Sequence, residues 1–429
     1  AIACTSSTAL AQSADALIDK LVDKGILSVK EANDLREESD KGFTTALSSK
    51  NGMPEWVTAL KFNGDFRGRY ESFNYENGAV GRDRFRYRAR FGFTAAIRDQ
   101  LEVGLRLGSG DLDGGVPTGG IDPISNNQTL QNNASKKGIF LDLAYAKWSP
   151  LNTPDWSGVL TVGKMENPFV FPSTMMFDKD YTPEGGAVEL TYRLNPEHTL
   201  KFTGGGFVLD ELSGDSNDPF LAGAQLRLDS AWSSHWSSSL GVSYFGITAS
   251  GNLGNGAVPN INSGNTRTAG GALVYDYTPL QADASLTYTM DKFPLYPAAC
   301  PITAFGEYIQ NTSASANDVG YAFGVTIGKS GKKGLWDLSY QYRNLEADAV
   351  YEEFTESDFG GNYLTAPAGG NTGYRSGTNV RGHIIKAQYS PYDSLTLGIT
   401  YWITDLINES PAGSQSGAGR LQVDAAIKF

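Results

Sequence analysis

The sequence has little cysteine and little histidine, since its 429 residues include two Cys and three His. So few cysteines cannot build a disulfide framework, and no C-x-x-C-H haem attachment motif occurs. A hydrolase would need a nucleophile beside a base that a third group orients, and His198, His235 and His383 stand in no such motif. We therefore predict no enzyme activity, no catalytic residue, no metal site and no cofactor.

Long apolar runs are also missing. No stretch approaches the roughly 18 apolar residues that a membrane helix needs, which excludes an α-helical membrane protein. A transmembrane β-barrel stays possible, because only alternate residues of its strands meet lipid. The chain is rich in Gly (50), Tyr (21) and Phe (21), as such a barrel would be. Its net charge of -12 argues against nucleic-acid binding.

What the chain does have is strict alternation, seen most clearly in Arg82–Ile97. Only an extended strand puts alternate residues on opposite faces, so this segment has an aromatic face and a guanidinium face. The aromatic face would be the core of a soluble sandwich. In an outer-membrane barrel it would meet lipid, and the arginines would line an aqueous lumen. The aromatic face carries Phe85, Tyr87, Phe91 and Phe93, and the other carries Arg84, Arg86, Arg88 and Arg90.

Sixteen segments alternate in this way. The connections between them alternate as well, with short turns followed by long Gly/Asn/Ser-rich loops. Short periplasmic turns opposite long external loops are typical of outer-membrane barrels. The pattern predicts an all-β fold, a 16-stranded antiparallel transmembrane β-barrel over residues 59–429. The predicted strands are 60–71, 82–97, 101–108, 139–148, 159–164, 187–194, 200–208, 220–229, 236–248, 269–277, 282–290, 319–329, 335–343, 380–389, 395–404 and 420–429, with a turn at 278–280 and a long loop at 291–318.

The N-terminal region differs from the rest. Residues 1–11 read as a signal-peptide remnant with Ala9-Leu10-Ala11 as the cleavage site, and a lipoprotein acylation site at Cys4 is the alternative. Residues 12–58 form a predicted periplasmic helical extension, with a short helical hairpin over 13–40. The hairpin is too short to fold alone, so its apolar stripe has a partner in neighbouring subunits or an envelope component, or the extension is loosely ordered.

Several segments resemble the putative-porin family of Gram-negative outer membranes, which is distantly similar to the phosphate-selective porins. They are 84–93, Gly-Lys-Met-Glu-Asn-Pro-Phe at 163–169, Phe-Asp-Lys-Asp-Tyr-Thr-Pro-Glu-Gly at 177–185, and the helical hairpin. The last strand, which ends in Phe429, resembles the strand that the barrel-assembly machinery recognises. The resemblance implies a homotrimer in outer-membrane lipid and lipopolysaccharide that passes ions and small hydrophilic solutes by passive diffusion. No lysine cluster matches the phosphate-selective type, so phosphate specificity is not expected.

The resemblance also implies a site. In trimeric porins the third loop folds into the barrel and narrows it, and its acidic residues face a basic ladder on the wall. Opposed charges of this kind orient a polar solute, and we expect a modest anion preference or weak selectivity. Alternatively, the arginines pair with Asp65, Glu71, Glu102 or the loop carboxylates merely to hold the loop. The predicted ladder is Arg67, Arg69, Arg84, Arg86, Arg88, Arg90, Arg106 and Lys164, and the predicted acidic residues of the inward-folded loop are Glu166, Asp178, Asp180 and Glu184.

Two further alternatives stay open at this point. A secreted or surface-attached β-rich adhesin or binding protein would show the same alternation, but it would dissolve without detergent. Acidic runs at 111–113 and 210–218 are either Ca²⁺ sites or solvated loops.

Overall fold

The computed structural model describes residues 54–76, 78–111, 122–253, 263–363, 374–375, 377–409 and 415–429. The predicted signal remnant and helical hairpin lie outside these residues and stay predictions. Within the described ranges the chain forms strands and two single-turn 3₁₀ helices, Ser250–Asn252 and Glu352–Phe354. None of these residues belongs to a helix long and apolar enough to cross a membrane.

Sixteen long strands make up the main sheet. They are β1 Val57–Tyr75, β2 Arg82–Ile97, β3 Leu101–Ser109, β4 Ile139–Asn152, β5 Trp156–Lys164, β6 Glu184–Arg193, β7 His198–Val208, β8 Phe220–Ala231, β9 Trp236–Thr248, β10 Pro279–Met290, β11 Cys300–Asn311, β12 Val319–Gly328, β13 Trp336–Leu345, β14 Val380–Tyr392, β15 Leu395–Leu406 and β16 Ala418–Lys428. Two-residue strands occur at Gln128–Thr129, which pairs with β2, and at Asn362–Tyr363 and Tyr374–Arg375, which pair with each other.

The sheet closes on itself. Consecutive strands pair, and β16 pairs antiparallel with β1 from Asp65↔Lys428 to Tyr75↔Ala418. Every long strand therefore has two neighbours, and no edge is left to recruit another chain. This confirms the predicted closed antiparallel barrel of sixteen strands.

One predicted strand is wrong and one real strand was missed, so the two errors cancel in the count. Residues 269–277 form no strand but belong to the long loop 249–278. Tyr277 at their end is buried by loop packing and not by a strand, and its hydroxyl donates a 3.2 Å hydrogen bond to Asp348 in a different loop. Conversely, Cys300–Asn311 is a strand within the predicted loop 291–318, and Pro301 at its start obscured the pattern. The turn predicted at 278–280 is likewise wrong, since the actual turn is 291–299.

The two faces of the barrel wall have opposite character. On β2, the side chains of Phe85 and Phe91 are 61% and 51% exposed, whereas on β1 Arg69 is 7% exposed and Glu71 is fully buried. A soluble protein buries its apolar residues and exposes its charges, and this wall does the reverse. On β1 and β2 the alternation is therefore apolar outward and polar inward, as in a membrane barrel.

Aromatic rings pair across neighbouring strands near both ends of the barrel strands. At the end with the short turns, Trp156 stacks on Tyr192 with ring centroids 4.3 Å apart, and Trp236 lies 4.7 Å from Tyr288. Near the long loops, Tyr70 and Phe85 lie 5.3 Å apart. Such cross-strand pairs stabilise the sheet, and amphipathic rings at both ends are suited to two membrane–water interfaces.

Apolar residues also form a buried cluster, built by several strands, three long loops and Ile124 of the loop between β3 and β4. We call residues 165–183 loop L3, residues 249–278 loop L5 and residues 346–379 loop L7. L3 contributes Met165, Phe169, Met175, Met176, Phe177 and Tyr181; the strands contribute Phe207, Leu221, Phe245, Ile309 and Leu345, among others; L5 contributes Leu253 and Tyr277; and L7 contributes Ala349, Val350, Tyr351 and Phe354. The apolar residues of L3 are thus packed against the wall and L7.

Residues 54–61 and 95–101 form a small unit of their own, and the larger unit comprises 62–94 and 102–429. Within the small unit, the backbone N–H of Arg98 donates to the Trp56 carbonyl at 2.9 Å, and the Thr58 hydroxyl donates to the Ala96 carbonyl at 3.1 Å. Asp99 and Gln100 have φ of 63° and 64°, the left-handed pair that tight hairpin turns use.

Candidate functional site

Glu71 on β1 is the centre of a buried group of arginines. Its carboxylate is fully buried and accepts 2.8 Å hydrogen bonds from Arg420 and from Gln422 on β16. The register of closure places these residues together, because Glu71 pairs directly with Gln422 across β1 and β16. Three more arginines complete the group around this carboxylate: Arg69 at 3.5 Å, Arg86 at 3.8 Å, and Arg84, whose Nε donates to it.

Two further arginines of β2 lie between the wall and L3. Arg88 and Arg90 approach the carboxylate of Asp65 on β1 at 3.0 and 2.7 Å. The same two guanidinium groups approach Asp180 of L3 at 3.0 and 3.3 Å. Each arginine therefore joins a wall carboxylate to a loop carboxylate, in charge-assisted bonds that fix both partners.

L7 reaches the same cluster through Asp358. This carboxylate lies 2.6 Å from Arg420 and 3.4 Å from Arg69, and Arg69 also binds Asp424 of β16 through two bonds of 2.7 and 2.8 Å. Burial opposes ionisation of Asp358, but the charges of Arg420 and Arg69 outweigh it, so the pKa of Asp358 is lowered. L7 is therefore held by an ionised carboxylate.

The remaining predicted basic residues have separate partners. Arg106 contacts Asp142 on β4 and Glu166 of L3. Lys164 lies 3.0 Å from Glu184 and donates to the Thr182 carbonyl at 3.0 Å. Arg67 differs from the others: it donates to the side-chain oxygen of Asn127 at 2.6 Å, and no carboxylate among the described residues forms an ion pair with it.

Of the four predicted acidic residues, Asp178 is the one without an ion-pair partner in the described part of the chain. Its carboxylate accepts a 2.8 Å hydrogen bond from the backbone of Asp180, and its own backbone N–H donates to Phe354 of L7 at 2.7 Å. Burial and the neighbouring charge of Asp180 raise the pKa of Asp178 well above its usual range. Its carboxyl therefore keeps its proton to higher pH than an exposed aspartate does.

L3 is also tied to other strands of the barrel. The backbone N–H and C=O of Val170 exchange two 2.9 Å hydrogen bonds with the side-chain amide of Gln225 on β8, and Arg227 donates to the same carbonyl at 2.9 Å. The Ser173 hydroxyl donates to Glu307 on β11 at 2.5 Å. L3 thus has polar anchors on β2 at one point and on β8 and β11 at others.

Sequence reasoning missed the contribution of the last strand. Arg420, Gln422 and Asp424 alternate along β16 with apolar residues, so their inward direction was readable, but their contact with β1 follows only from closure. Asp358 had no local signal, since L7 is irregular around it. Glu102, considered as an arginine partner, instead accepts a hydrogen bond from Tyr145 at 3.0 Å.

The carboxylates bound to these arginines are as numerous as the arginines themselves, so this set of charges is electrically balanced. The arginines are Arg67, Arg69, Arg84, Arg86, Arg88, Arg90, Arg106 and Arg420, and the carboxylates are Asp65, Glu71, Asp111, Asp142, Glu166, Asp180, Asp358 and Asp424.

A closed barrel with an apolar exterior and a charged interior defines the class of porin-type transmembrane β-barrels. The sequence matches the family described as "Putative porin" over residues 73–253 and 272–429. The match covers more than half of the chain, and the chain belongs to this family. Its members are channels and not enzymes.

Solved structures with similar folds are outer-membrane porins. OprB of Pseudomonas putida is 11% identical, with 91% of this chain and 97% of that chain covered and a TM-score of 0.53. OmpF of Salmonella typhi, in complex with daunomycin, is 11% identical, with coverage of 86% and 97% and a TM-score of 0.47. The outer membrane channel DcaP of Acinetobacter baumannii is 13% identical, with coverage of 86% and 97% and a TM-score of 0.44. At these identities the OprB likeness shows the fold alone. No curated protein matches the chain in sequence.

Proposed function

We propose that the chain is a porin of the Gram-negative outer membrane, a water-filled channel for passive diffusion of ions and small hydrophilic solutes. The observation that carries this proposal is the inverted polarity of the closed wall, with exposed Phe85 and Phe91 outside and buried Arg69 and Glu71 inside. An adhesin has no need of an apolar exterior around a charged interior. Membership of a porin family supports the same conclusion.

In this proposal L3 folds into the barrel and narrows it. The support is the distribution of its anchors, because Asp180 binds arginines of β2 while Val170 and Ser173 bind β8 and β11. In the sheet order, β2 lies far from β8 and β11, so a loop that contacts all of them must cross the interior. Its apolar residues then pack against one side of the wall and leave the arginine side for the permeating solute.

The predicted ladder would line this path. Because most of its arginines have a carboxylate partner, each pair presents a dipole and little net charge. Such dipoles orient polar solutes but select weakly between anions and cations. The cluster as a whole has as many carboxylates as arginines, so the expected selectivity is weak. A modest anion preference would come from Arg67, whose partner among the described residues is the neutral side chain of Asn127.

For assembly we propose a homotrimer whose remaining outer surface meets outer-membrane lipid and lipopolysaccharide. The support is the exposed apolar side chains on strands all around the barrel, among them Leu160, Leu240, Phe323 and Ile399. Apolar surface of this extent is stable only against lipid or another protein surface.

The test of the channel is conductance in planar lipid bilayers. Detergent-purified protein should produce discrete current steps in KCl, and a salt gradient should give a small reversal potential on the anion side. Protein that stays soluble without detergent and produces no current steps would contradict the proposal and favour the adhesin.

A further inference from the structure

We propose that the barrel holds a binding site for a small organic anion, a carboxylate attached to a planar apolar body, in the basic cavity beside Phe73. The inference rests on the proposed channel function and names a class of solute for it. The cavity has a volume of about 300 Å³ and lies at the long-loop ends of β1 and β2. Pockets that bind one small molecule begin at about this size.

Phe73 supplies the apolar surface of the site. It lies on the inward face of β1, two residues beyond Glu71, and its ring is partly exposed to the cavity. Three guanidinium groups lie against this ring, with their central carbons 4.9 Å (Arg420), 5.0 Å (Arg84) and 5.7 Å (Arg82) from its centroid. Cation–π contacts of this kind hold the guanidinium groups around the ring.

The cavity carries surplus positive charge. Arg84 and Arg420 share the buried carboxylate of Glu71. Arg82 and Arg375 also line the cavity, and no described carboxylate lies within ion-pair distance of either. These two guanidinium groups therefore keep their charge available to an incoming anion.

The acidic residues of the cavity are already engaged. Asp111 accepts hydrogen bonds from the backbone N–H and the hydroxyl of Thr129 at 2.9 and 2.6 Å, and it lies 3.3 Å from Arg86. Asp122 accepts from the backbone of Ile124 at 3.1 Å. These bonds fix both carboxylates in place, and the arginines of the lining outnumber its two acids. The five lining arginines are Arg82, Arg84, Arg86, Arg375 and Arg420.

The combination selects a class of ligand. An inorganic anion would use the guanidinium groups but gain nothing from the Phe73 ring, and a neutral aromatic would use the ring but not the charge. A carboxylate bonds to arginine in the strong charge-assisted geometry, and a planar body attached to it can pack on the ring. A small aromatic carboxylate satisfies both demands.

Single-channel recording tests the site with benzoate and acetate at equal ionic strength. Benzoate should interrupt the KCl current at a half-blocking concentration about tenfold below that of acetate, the ratio that ~1.4 kcal/mol gives. The double variant Arg82→Gln/Arg375→Gln should raise the half-blocking concentration of benzoate about tenfold. Phe73→Leu should raise it for benzoate and leave acetate unchanged. Arg193→Gln, an exposed arginine at the far end of β6, is the matched control and should change neither.

Titration calorimetry of the detergent-solubilised full chain with benzoate gives a readout that needs no current. If the chain conducts but benzoate neither blocks the current nor binds, the proposed binding site is wrong and the proposed channel function is retained. If the chain does not conduct but binds benzoate, and the Arg82→Gln/Arg375→Gln variant binds it about tenfold more weakly, the proposed binding site is retained and the proposed channel function is wrong. Block that is equal for benzoate and acetate, or unaffected by Phe73→Leu, would also overturn the proposed class.

Discussion

The carboxylate of Glu71 accepts a 2.8 Å hydrogen bond from the guanidinium group of Arg420, although 349 residues separate the two in sequence. They meet because the last strand pairs with the first and closes the barrel. A buried carboxylate surrounded by arginines is stable only as a complete set, since removal of one partner leaves uncompensated charge. The charges at the seam of the barrel therefore depend on one another.

We expect Glu71→Gln to destabilise the barrel by about 3–5 kcal/mol, because four guanidinium groups would lose their shared counter-charge. The measurement is urea unfolding in lipid vesicles, followed by tryptophan fluorescence. Glu189→Gln on β6 is the control, since no ion pair of Glu189 is formed with the described residues. Equal midpoints for the two variants would show that Glu71 contributes no more than an ordinary wall carboxylate.

Replacing Arg84, Arg86, Arg88 and Arg90 by Gln should shift the reversal potential in a salt gradient toward cations, on the order of tens of millivolts. The physical reason is the loss of fixed positive charge beside carboxylates that remain, Glu71, Asp65 and Asp180. Arg193→Gln, outside the cluster, should leave the potential unchanged. If the quadruple variant folds and its reversal potential equals that of the unmodified protein, these arginines have a structural role and do not set the ion selectivity.

Asp180→Asn should act in the opposite direction. It removes a negative charge and the bonds to Arg88 and Arg90, so the reversal potential should move toward anions and the open-channel current should become larger and noisier as L3 loosens. Asp178→Asn is the comparison in the same loop. Because the raised pKa of Asp178 keeps its carboxyl neutral to higher pH, its replacement should shift the potential less. A larger shift for Asp178→Asn than for Asp180→Asn would contradict this assignment of charge.

Phe177→Ala should release L3 while the barrel persists. The Phe177 ring lies 5.3 Å from Phe354 and 5.5 Å from Phe245, and a buried phenylalanine truncated to alanine costs about 3–5 kcal/mol. We expect faster chymotrypsin cleavage within L3 and an unchanged barrel band on heat-modifiability gels. Val170→Ala is the control, because that side chain is 57% exposed and only its backbone is anchored. Equal cleavage of both variants would argue that the aromatic packing does not hold the loop.

Deleting residues 12–45 tests the predicted role of the N-terminal extension. If its apolar stripe is buried between subunits, native gels in mild detergent should show a weaker trimer with the monomeric barrel intact. A trimer of undiminished stability would mean that the barrel walls alone hold the subunits together.

The sequence by itself determined the class of fold. The alternation in Arg82–Ile97 and its counterparts specifies which side chains share a face, because a strand repeats every two residues whatever surrounds it. The inward direction of Arg84 to Arg90 and of Arg420 to Asp424 follows from this period. The same local signal was misleading in two places. Residues 269–277 alternate but form no strand, and Tyr277 among them contacts another loop. Cys300–Asn311 is a real strand whose pattern Pro301 obscures.

Tertiary structure decided which charges meet. No local pattern could place Arg420 on Glu71, Asp358 on Arg69 or Asp180 on Arg88, because these contacts join a closing strand and two irregular loops to β1 and β2. The two-residue period of a strand specifies which face of the sheet a side chain occupies, but not which side chain lies next to it. Loop conformations depend on apolar partners such as Phe354 and Phe245, which lie far away along the chain. The electrostatic balance of the interior is therefore a property of barrel closure and loop packing, which no single segment encodes.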